Sequence, residues 1–163
     1  MTNDIIYNTE NYVFSFRVGG VLIHNGKILL QSIPGDEGYV LPGGHVSLGE
    51  TTDAALIREF KEELHADVSI ERLLIFGENF LKWNSKPCHQ ICVFYLISLM
   101  DFSQIPLEGS FHPYDEAGNM RFDIEFCWIS LSDLTKKTLY PIEIKQTVLS
   151  LPDHIVSFVH KTP

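Results

Sequence analysis

The chain is short of cysteine and of positive charge. It has three cysteines in 163 residues, and no two of them form a CxxC pair. An odd number without that spacing indicates neither a disulfide framework nor a zinc site, so we expect buried thiols in a reducing compartment. Lysine and arginine number 12 against 21 acidic residues, and the formal net charge is -9. We therefore expect no nucleic-acid polymer as a partner.

Long hydrophobic segments and a leader sequence are missing as well. The longest apolar stretch, ICVFYLISLM at 91–100, is about half the length that a membrane-spanning helix needs. The initial segment, MTNDIIYNTENY, lacks a basic region followed by an apolar run and is not typical of a secretory signal. We expect a cytoplasmic protein without a membrane partner.

What the chain does contain is typical of one globular domain. Apolar residues make up 45% of the sequence and charged residues 20%, which separates it from disordered proteins. No repeat, low-complexity segment or linker divides it. A chain of 163 residues can bury one substantial core, so we predict a single domain over residues 1–163.

Runs of β-forming residues predict most of the strands. The predicted strands cover 12–23, 27–33, 68–81, 88–100 and 125–130, with a short strand at Tyr39 to Leu41. Asn25-Gly26 is typical of a tight hairpin turn between the first two. Ser132 is predicted to cap a short helix and Pro141 to begin a terminal one. Residues 101–122 are predicted to form a long loop, and loops of this length often serve as lids or binding loops.

A helix is predicted directly after Glu50, with Thr51 or Thr52 capping its first turn. Four apolar residues of this helix fall in one band, which is typical of a helix that packs on a core. They are Leu56, Ile57, Phe60 and Leu64.

The other face of this helix collects charge. It holds Arg58, Glu59, Glu62 and Glu63, and Glu50 lies in the preceding loop. Like charges at helical spacing repel by a few tenths of a kcal/mol per pair, so a purely structural segment gains little from them. Glutamates at this spacing present several hard oxygens close together, which suits Mg²⁺ or Mn²⁺. The alternative is a solvated acidic face without a ligand.

The same segment resembles the Nudix box, Gx5Ex7REUxEExGU, in which U is a bulky aliphatic residue. The matching residues are Gly44, Glu50, Arg58, Glu59, Glu62 and Glu63, which places the box at 44–66. Phe60 replaces an aliphatic residue, Ala66 is a weak match, and His65 stands where the family has glycine. The preceding YVLPGG is similar to the usual lead-in of the family, and the similarity extends over roughly residues 12–150.

The resemblance implies a fold and a reaction. The fold is an α/β (α+β) protein, an α/β/α sandwich with a mixed sheet flanked by helices. The reaction is hydrolysis of a nucleoside diphosphate linked to another moiety, by attack of water on phosphorus, with Mg²⁺ as cofactor and Mn²⁺ as a substitute. A catalytically weak member that senses a nucleotide is the alternative, and a homodimer stays open.

The resemblance also implies roles for the residues of the box. Glu59, Glu62, Glu63 and, more weakly, Glu50 are the expected metal ligands; Glu59, Glu62 and Arg58 are the catalytic candidates. The general base stays open among Glu59, Glu108, Asp115 and Glu116. Gly43 and Gly44 are expected to allow close backbone packing. His65 would end the helix in the left-handed conformation at a cost of about 1 kcal/mol, or serve as a further metal ligand.

Residues outside the box are candidates for contacting the substrate. Arg17 and Arg121 are isolated cations that could meet a phosphate, with surface salt bridges as the alternative. Trp83 and Tyr114 lie in a predicted turn and loop, where an aromatic ring can stack on a base. His45 is expected to form hydrogen bonds within its loop and not to act as a catalyst.

Overall fold

A computed structural model describes residues 3–162 of the chain. Its strands are β1 (Ile6–Asn8), β2 (Val13–His24), β3 (Lys27–Ser32), β4 (Tyr39–Val40), β5 (Gly43–His45), β6 (Val68–Trp83), β7 (Lys86–Leu99), β8 (Ser110–Phe111), β9 (Phe126–Ser130), β10 (Leu139–Tyr140) and β11 (Val156–Lys161). Its helices are α1 (Thr52–Leu64), α2 (Leu131–Leu134), a 3₁₀ turn (Ile142–Ile144) and α3 (Lys145–Ser150).

The strands form a mixed sheet in the order β10-β4-β3-β2-β7-β6-β11. Three neighbouring pairs in it are parallel, namely β2 with β7, β6 with β11, and β4 with β10. The others are antiparallel, including the long β6–β7 hairpin. The short strands β1 and β5 pair with β2, and β9 pairs with β3.

Helices cover both faces of this sheet, as the predicted sandwich requires. On one face, Phe60 and Leu56 of α1 pack against Val18, Leu22 and residues of β7 and β9. On the other face, the cluster around Val21 and Leu30 includes Leu134 of α2 and Val148 of α3. All three cysteines lie in these strands, buried and free, which confirms the expectation of buried thiols.

Helix α1 is rotated relative to the predicted apolar band. Leu56, Phe60 and Leu64 are buried as expected, but Ile57 is 42% exposed and Ala55 is fully buried in its place. With about 3.6 residues per turn, Glu59 and Glu63 fall between Ala55 and Leu56 when α1 is viewed along its axis. Two of the glutamates therefore lie on the inward side of the helix and not on a face opposite the core.

Other predictions about single elements were wrong in detail. The cap of α2 is Ser130 and not Ser132, because the Ser130 hydroxyl accepts the Asp133 N–H at 3.1 Å. Pro141 precedes a 3₁₀ turn that leads into α3. Strand β11, which was not predicted, adds to the edge of the sheet. No helix within residues 3–162 is long and apolar enough to cross a membrane.

The predicted long loop at 101–122 contains regular structure. Its last part is a small hairpin, Pro113–Arg121, which we call the 113–121 hairpin. Tyr114 and Met120 form its antiparallel bridge, and the Arg121 N–H donates to the Pro113 carbonyl at 2.8 Å. The Asp115 carboxylate accepts the Asn119 N–H at 2.8 Å and closes the turn. Backbone hydrogen bonds and one aspartate thus give order to a segment without a hydrophobic pattern.

Candidate active site

Two adjacent glycines bring the loop before α1 into contact with the sheet and the helix. A Cβ atom on Gly43 would lie 2.0 Å from the Val18 carbonyl oxygen, because β5 and β2 run side by side here. A Cβ atom on Gly44 would lie 2.2 Å from the carboxyl carbon of Glu59. Gly43 therefore needs glycine for space, because the atoms it would meet are backbone. At Gly44 an added side chain would displace the Glu59 carboxylate, which lies directly over the loop.

Arg58 is the centre of a hydrogen-bond network that joins the loop to α1. Its Nη2 and Nε donate to the two carboxylate oxygens of Glu50 at 2.6 and 3.1 Å. Its Nη2 also donates to the His45 carbonyl at 3.0 Å. Its Nη1 donates to Glu59 at 2.9 Å and to Glu62 at 3.2 Å. Such a bidentate pair fixes both side chains, and it lowers the pKa of Glu50.

Glu59 and Glu63 are in a different electrostatic environment from Glu50. Burial and, to a lesser extent, the nearby Glu59 carboxylate raise the pKa of Glu63 to about 7, although the Arg17 and Arg121 charges oppose the shift. Burial also raises the pKa of Glu59, although Arg58 opposes it. The Glu59 side chain is only 13% exposed. Two partly buried acids thus lie close together with too little positive charge around them.

Glu62 completes the acidic cluster on the solvent side. Its side chain is 57% exposed, and its contact with Arg58 spans one helical turn. The structure therefore brings Glu50, Glu59 and Glu62 into contact with Arg58, and Glu63 is near enough for the Glu59 and Glu62 charges to act on it. Within residues 3–162, no three His, Cys, Asp or Glu side chains stand close enough to hold an ion in the present rotamers.

Arg17 lies next to this cluster although it comes from a distant strand. It is opposite His45 in the β2–β5 register, and its Nη2 donates to the Leu41 carbonyl at 3.1 Å. Its charge acts on both Glu59 and Glu63. In the described part of the chain, Arg17 forms no ion pair within 4.0 Å.

A cavity of about 810 Å³ opens beside Arg17 on the α3 side of the sheet. Its polar lining residues include Gln31, Asn79, Gln90 and His160, and Tyr140 and Phe94 contribute aromatic surface. The Asn79 Oδ1 atom is buried without a hydrogen-bond partner. A buried acceptor without a partner is rare, and here it is close to an open space. No sequence pattern predicts this lining, because its residues come from six separate segments of the chain.

The structure places His45 and Trp83 together. Their rings stack with centroids 5.5 Å apart and an interplanar angle of 17°. The His45 carbonyl accepts from Arg58, but its ring Nε2 is buried without a partner, so the expected side-chain hydrogen bond is not there. Burial lowers the pKa of this imidazole, and the Arg17 charge adds to the effect. Trp83 thus lies near the loop of the cluster, at the end of β6.

Tyr114 and Arg121 are both on the 113–121 hairpin. Tyr114 is 49% exposed, and its carbonyl accepts a hydrogen bond from His65 Nε2 at 3.0 Å. Arg121 pairs with Asp123 at 2.8 Å, as the salt-bridge alternative predicted. Its charge nevertheless reaches Glu63. His65 ends α1 with φ 52°, the expected left-handed conformation.

The four candidates for the general base differ in exposure and in the residues that they contact. Glu108 is 85% exposed and faces Lys27 at 3.6 Å. Asp115 is engaged in the hairpin turn with Asn119, and Glu116 is an exposed residue of the same turn. Glu59 alone among the four contacts Arg58 and lies over Gly44.

Comparison with known proteins agrees with this geometry. The family model described as the NUDIX domain matches residues 14–148. An ADP-ribose pyrophosphatase from Streptococcus suis is 19% identical with a TM-score of 0.56, over 89% of this chain and 98% of that chain. A MutT protein from Bacillus halodurans is 15% identical with a TM-score of 0.58, over 90% of each chain. A MutT NUDIX hydrolase from Burkholderia pseudomallei is 24% identical with a TM-score of 0.55, over 83% and 95%.

At these identities the solved structures establish the fold, whereas the family model establishes the family, because it matches most of the chain. The matched residues include β2 with Arg17, the glycine loop and the whole of α1. The chain belongs to the Nudix family and is a hydrolase that acts on phosphoric anhydride bonds.

Proposed function

We propose that the protein is a Mg²⁺-dependent pyrophosphohydrolase of a nucleoside diphosphate derivative, with Mn²⁺ as a substitute ion. The observation that supports this most directly is the pair of partly buried acids, Glu59 and Glu63, on which the charge of Arg17 acts. Arg17 also lines the 810 Å³ cavity. Carboxylates that repel each other at a fixed position are stabilised by a divalent cation, and hard oxygens are the donors that Mg²⁺ prefers. The chemistry of the donor set therefore fits the ion.

In this proposal Glu62 and Glu63 are the main ligands, and Glu59 is a third ligand or the base. Glu50 is the carboxylate least free to bind an ion, because Arg58 contacts both of its oxygens. Its proposed role is to fix Arg58, which in turn orients Glu59 and Glu62. A bound Mg²⁺ neutralises phosphoryl oxygens and stabilises the charge that develops on them.

The Glu59 carboxylate can accept the proton of the attacking water. Glu59 Oε1 accepts from Arg58 Nη1, which leaves Oε2 free to take that proton as the water oxygen bonds to phosphorus. The P–O bond to the leaving phosphate breaks in the same reaction. Burial raises the pKa of Glu59, and this makes the carboxylate a stronger base. Arg17 is proposed to bind a phosphoryl oxygen on the sheet side of the site.

The cavity beside Arg17 is the proposed site for the remainder of the substrate. Its volume of about 810 Å³ is typical of a small-molecule pocket. The Asn79 Oδ1 atom can accept an N–H of a bound ring, and Tyr140 offers an aromatic face. The fold neighbour that is an ADP-ribose pyrophosphatase acts on a compound of this chemical class.

A homodimer, a cytoplasmic location and a single domain over 1–163 stay predictions.

A panel of nucleoside diphosphate derivatives, assayed with Mg²⁺ and Mn²⁺ separately, tests the proposal. At least one compound should give phosphate-containing products, and Glu62→Gln or Glu63→Gln should lower turnover by orders of magnitude without unfolding the protein. Full activity in both variants would refute the assignment of Glu62 and Glu63 as metal ligands.

The two roles of Glu59 have different kinetic signatures. If it is a ligand, Glu59→Gln should raise the Mg²⁺ concentration that gives half-maximal rate. If it is the base, the variant should lower kcat at saturating Mg²⁺ and leave that concentration unchanged.

A catalytically weak member of the family that senses a nucleotide is the second candidate. It is favoured by the engagement of Glu50, Glu59 and Glu62 with Arg58, since within residues 3–162 the acids are not arranged as a preformed metal cage. Such a member would show a ligand-induced rise in melting temperature but very slow turnover of every compound of the panel.

A further inference from the structure

The end of α1 and the 113–121 hairpin are joined through one side chain. His65 Nε2 lies 3.0 Å from the Tyr114 carbonyl oxygen. Since a carbonyl can only accept, the imidazole donates its Nε2 proton. Within residues 3–162, this is the one hydrogen bond between α1 with its cap and the hairpin.

The backbone at this position does not need a histidine. The left-handed φ of 52° is a conformation that glycine adopts without steric cost. The two hydrogen bonds that end the helix, from His65 N to Lys61 O and from Ala66 N to Phe60 O, use backbone atoms only. Glycine would therefore keep this helix end, and what histidine adds is the contact of its ring.

Packing alone holds the hairpin weakly on this side. A cavity of about 430 Å³ separates it from the end of α1. Leu64, His65, Ile105, Tyr114 and Met120 are among its lining residues. Where close packing is interrupted by a space of this size, a single hydrogen bond has more influence on the position of a segment.

The hairpin brings a cation to the acidic cluster. Arg121 is the last residue of the hairpin and is tied to its first residue through the hydrogen bond to Pro113. His65, which contacts the hairpin at Tyr114, is only two residues after Glu63 in the chain, and the Arg121 charge acts on Glu63. Any shift of the hairpin at Tyr114 therefore moves this cation relative to Glu63.

We propose that His65 is a positioning residue that holds the 113–121 hairpin, and with it Arg121, against the acidic cluster so that Arg121 contacts the phosphates of the substrate. The inference rests on the proposed function, because it assumes that a diphosphate binds at the cluster. The inference adds two parts to the proposed site. The 113–121 hairpin closes one side of it, and His65, which is not one of the acidic residues, keeps the hairpin in place.

The binding test uses Mg²⁺ with inorganic pyrophosphate as the probe, measured by calorimetry on the full chain. His65→Gly should weaken binding roughly tenfold, within the usual range for coupled sites. Arg121→Gln should weaken it similarly, and the double variant should be little weaker than either single one. If the losses of pyrophosphate affinity caused by the two substitutions multiplied in the double variant, the proposal would be overturned.

Hydrogen exchange provides a readout that does not depend on turnover. The amides of Asp115, Gly118 and Arg121 donate hydrogen bonds within the hairpin, and their protection should fall in His65→Gly. Asn25→Gly is the matched control, since Asn25 also has a positive φ (49°) in an exposed turn; it should change neither exchange at the hairpin nor binding.

The outcomes separate this inference from the proposed function. Equal pyrophosphate binding by the wild type and His65→Gly would overturn the inference alone, as would unchanged exchange in the hairpin. Absence of Mg²⁺-pyrophosphate binding by the wild type would overturn both.

Discussion

Among single residues, Arg58 has the densest set of contacts in the site. It donates to three carboxylates and to one backbone carbonyl. The planar guanidinium fork makes this set available to arginine and not to lysine, whose ammonium group is a point donor. The arginine is thus required for its geometry as much as for its charge.

Arg58→Lys should therefore harm both stability and catalysis. It leaves partly buried acceptors on Glu50 and on His45 without a donor, and we expect a loss of about 1–3 kcal/mol in the free energy of unfolding. We also expect kcat/KM to fall by about two orders of magnitude, because Glu59 and Glu62 lose their orientation. Urea denaturation and steady-state kinetics measure the two effects. Lys61→Gln, which breaks an exposed pair with Asp67, is the control and should change little.

The two loop glycines should differ in what they control. In Gly43→Ala the new methyl group meets the Val18 carbonyl, which is backbone and cannot turn away. We expect a loss of about 2 kcal/mol or more in the free energy of unfolding. In Gly44→Ala it meets the Glu59 carboxylate, so turnover should fall much more than stability. Thermal denaturation and kcat, measured for both variants, check this contrast; equal behaviour would contradict it.

Among the elements, α1 decides the electrostatics of the site. Its buried residues Ala55, Leu56 and Phe60 fix a rotation in which Glu59 and Glu63 point toward the sheet. Glu62 stays on the solvent side. The same helix therefore presents carboxyl groups with different proton affinities, and packing far from the acids sets this difference.

This rotation predicts how the stability of the metal-free protein depends on pH. The pKa of Glu63 is about 7 in the folded chain against 4.5 for an ordinary glutamate, so the folded state binds this proton more tightly. The contribution to stability is complete below about pH 4.5 and is lost as the pH rises to about 7. Glu59 acts in the same direction.

Melting temperatures in EDTA between pH 4.5 and 7.5 measure the effect. Glu63→Gln should flatten the profile and be the more stable protein near pH 7, because the amide carries no charge. Glu50 acts in the opposite direction, since its pKa is lowered, but its contribution is lost only as the pH falls below about 4.5. A wild-type profile that rises steadily toward pH 7.5 would contradict the prediction.

At the scale of the whole molecule, the proposed site is assembled from segments that are distant in the chain. Arg17 comes from β2, three of the acids from α1 and Glu50 from the loop before it. Arg121 comes from the hairpin, and β6, β7 and the 3₁₀ turn contribute to the cavity wall. With a net charge of -9, the protein attracts divalent cations and repels free anions. Under the proposed function, this charge predicts that the ion binds before the diphosphate.

Mg²⁺ should consequently stabilise the folded chain through linkage. At a concentration 100 times its Kd, a ligand that binds only the folded state adds about 2.7 kcal/mol. The melting temperature should rise with Mg²⁺ for the wild type and not for the double variant of Glu62→Gln and Glu63→Gln. Glu10→Gln, an exposed change outside the site, should respond as the wild type does. A rise of the same size in the double variant would show that Mg²⁺ binds elsewhere.

The sequence by itself determined the features that depend on local spacing. The Asn25-Gly26 turn, the β6–β7 hairpin, α1 and its left-handed end at His65 follow from residues close together in the chain. The Nudix box is such a feature as well, because one loop and one helix contain all of it. Periodicity and turn chemistry are local, and they were sufficient for the acidic set; the resemblance to the Nudix box then implied the fold class.

The tertiary structure alone decided the rotation of α1, the addition of β11, the cavity and the neighbours of Arg17, His45 and Asn79. Each of these depends on contacts between residues far apart in the chain, for which no local pattern exists. The raised pKa of Glu63 has the same origin, because desolvation depends on what packs around a carboxyl group and not on its neighbours in sequence. The spacing of the acids thus predicted the site, and the packing of the sheet against α1 set the proton affinities of Glu59 and Glu63.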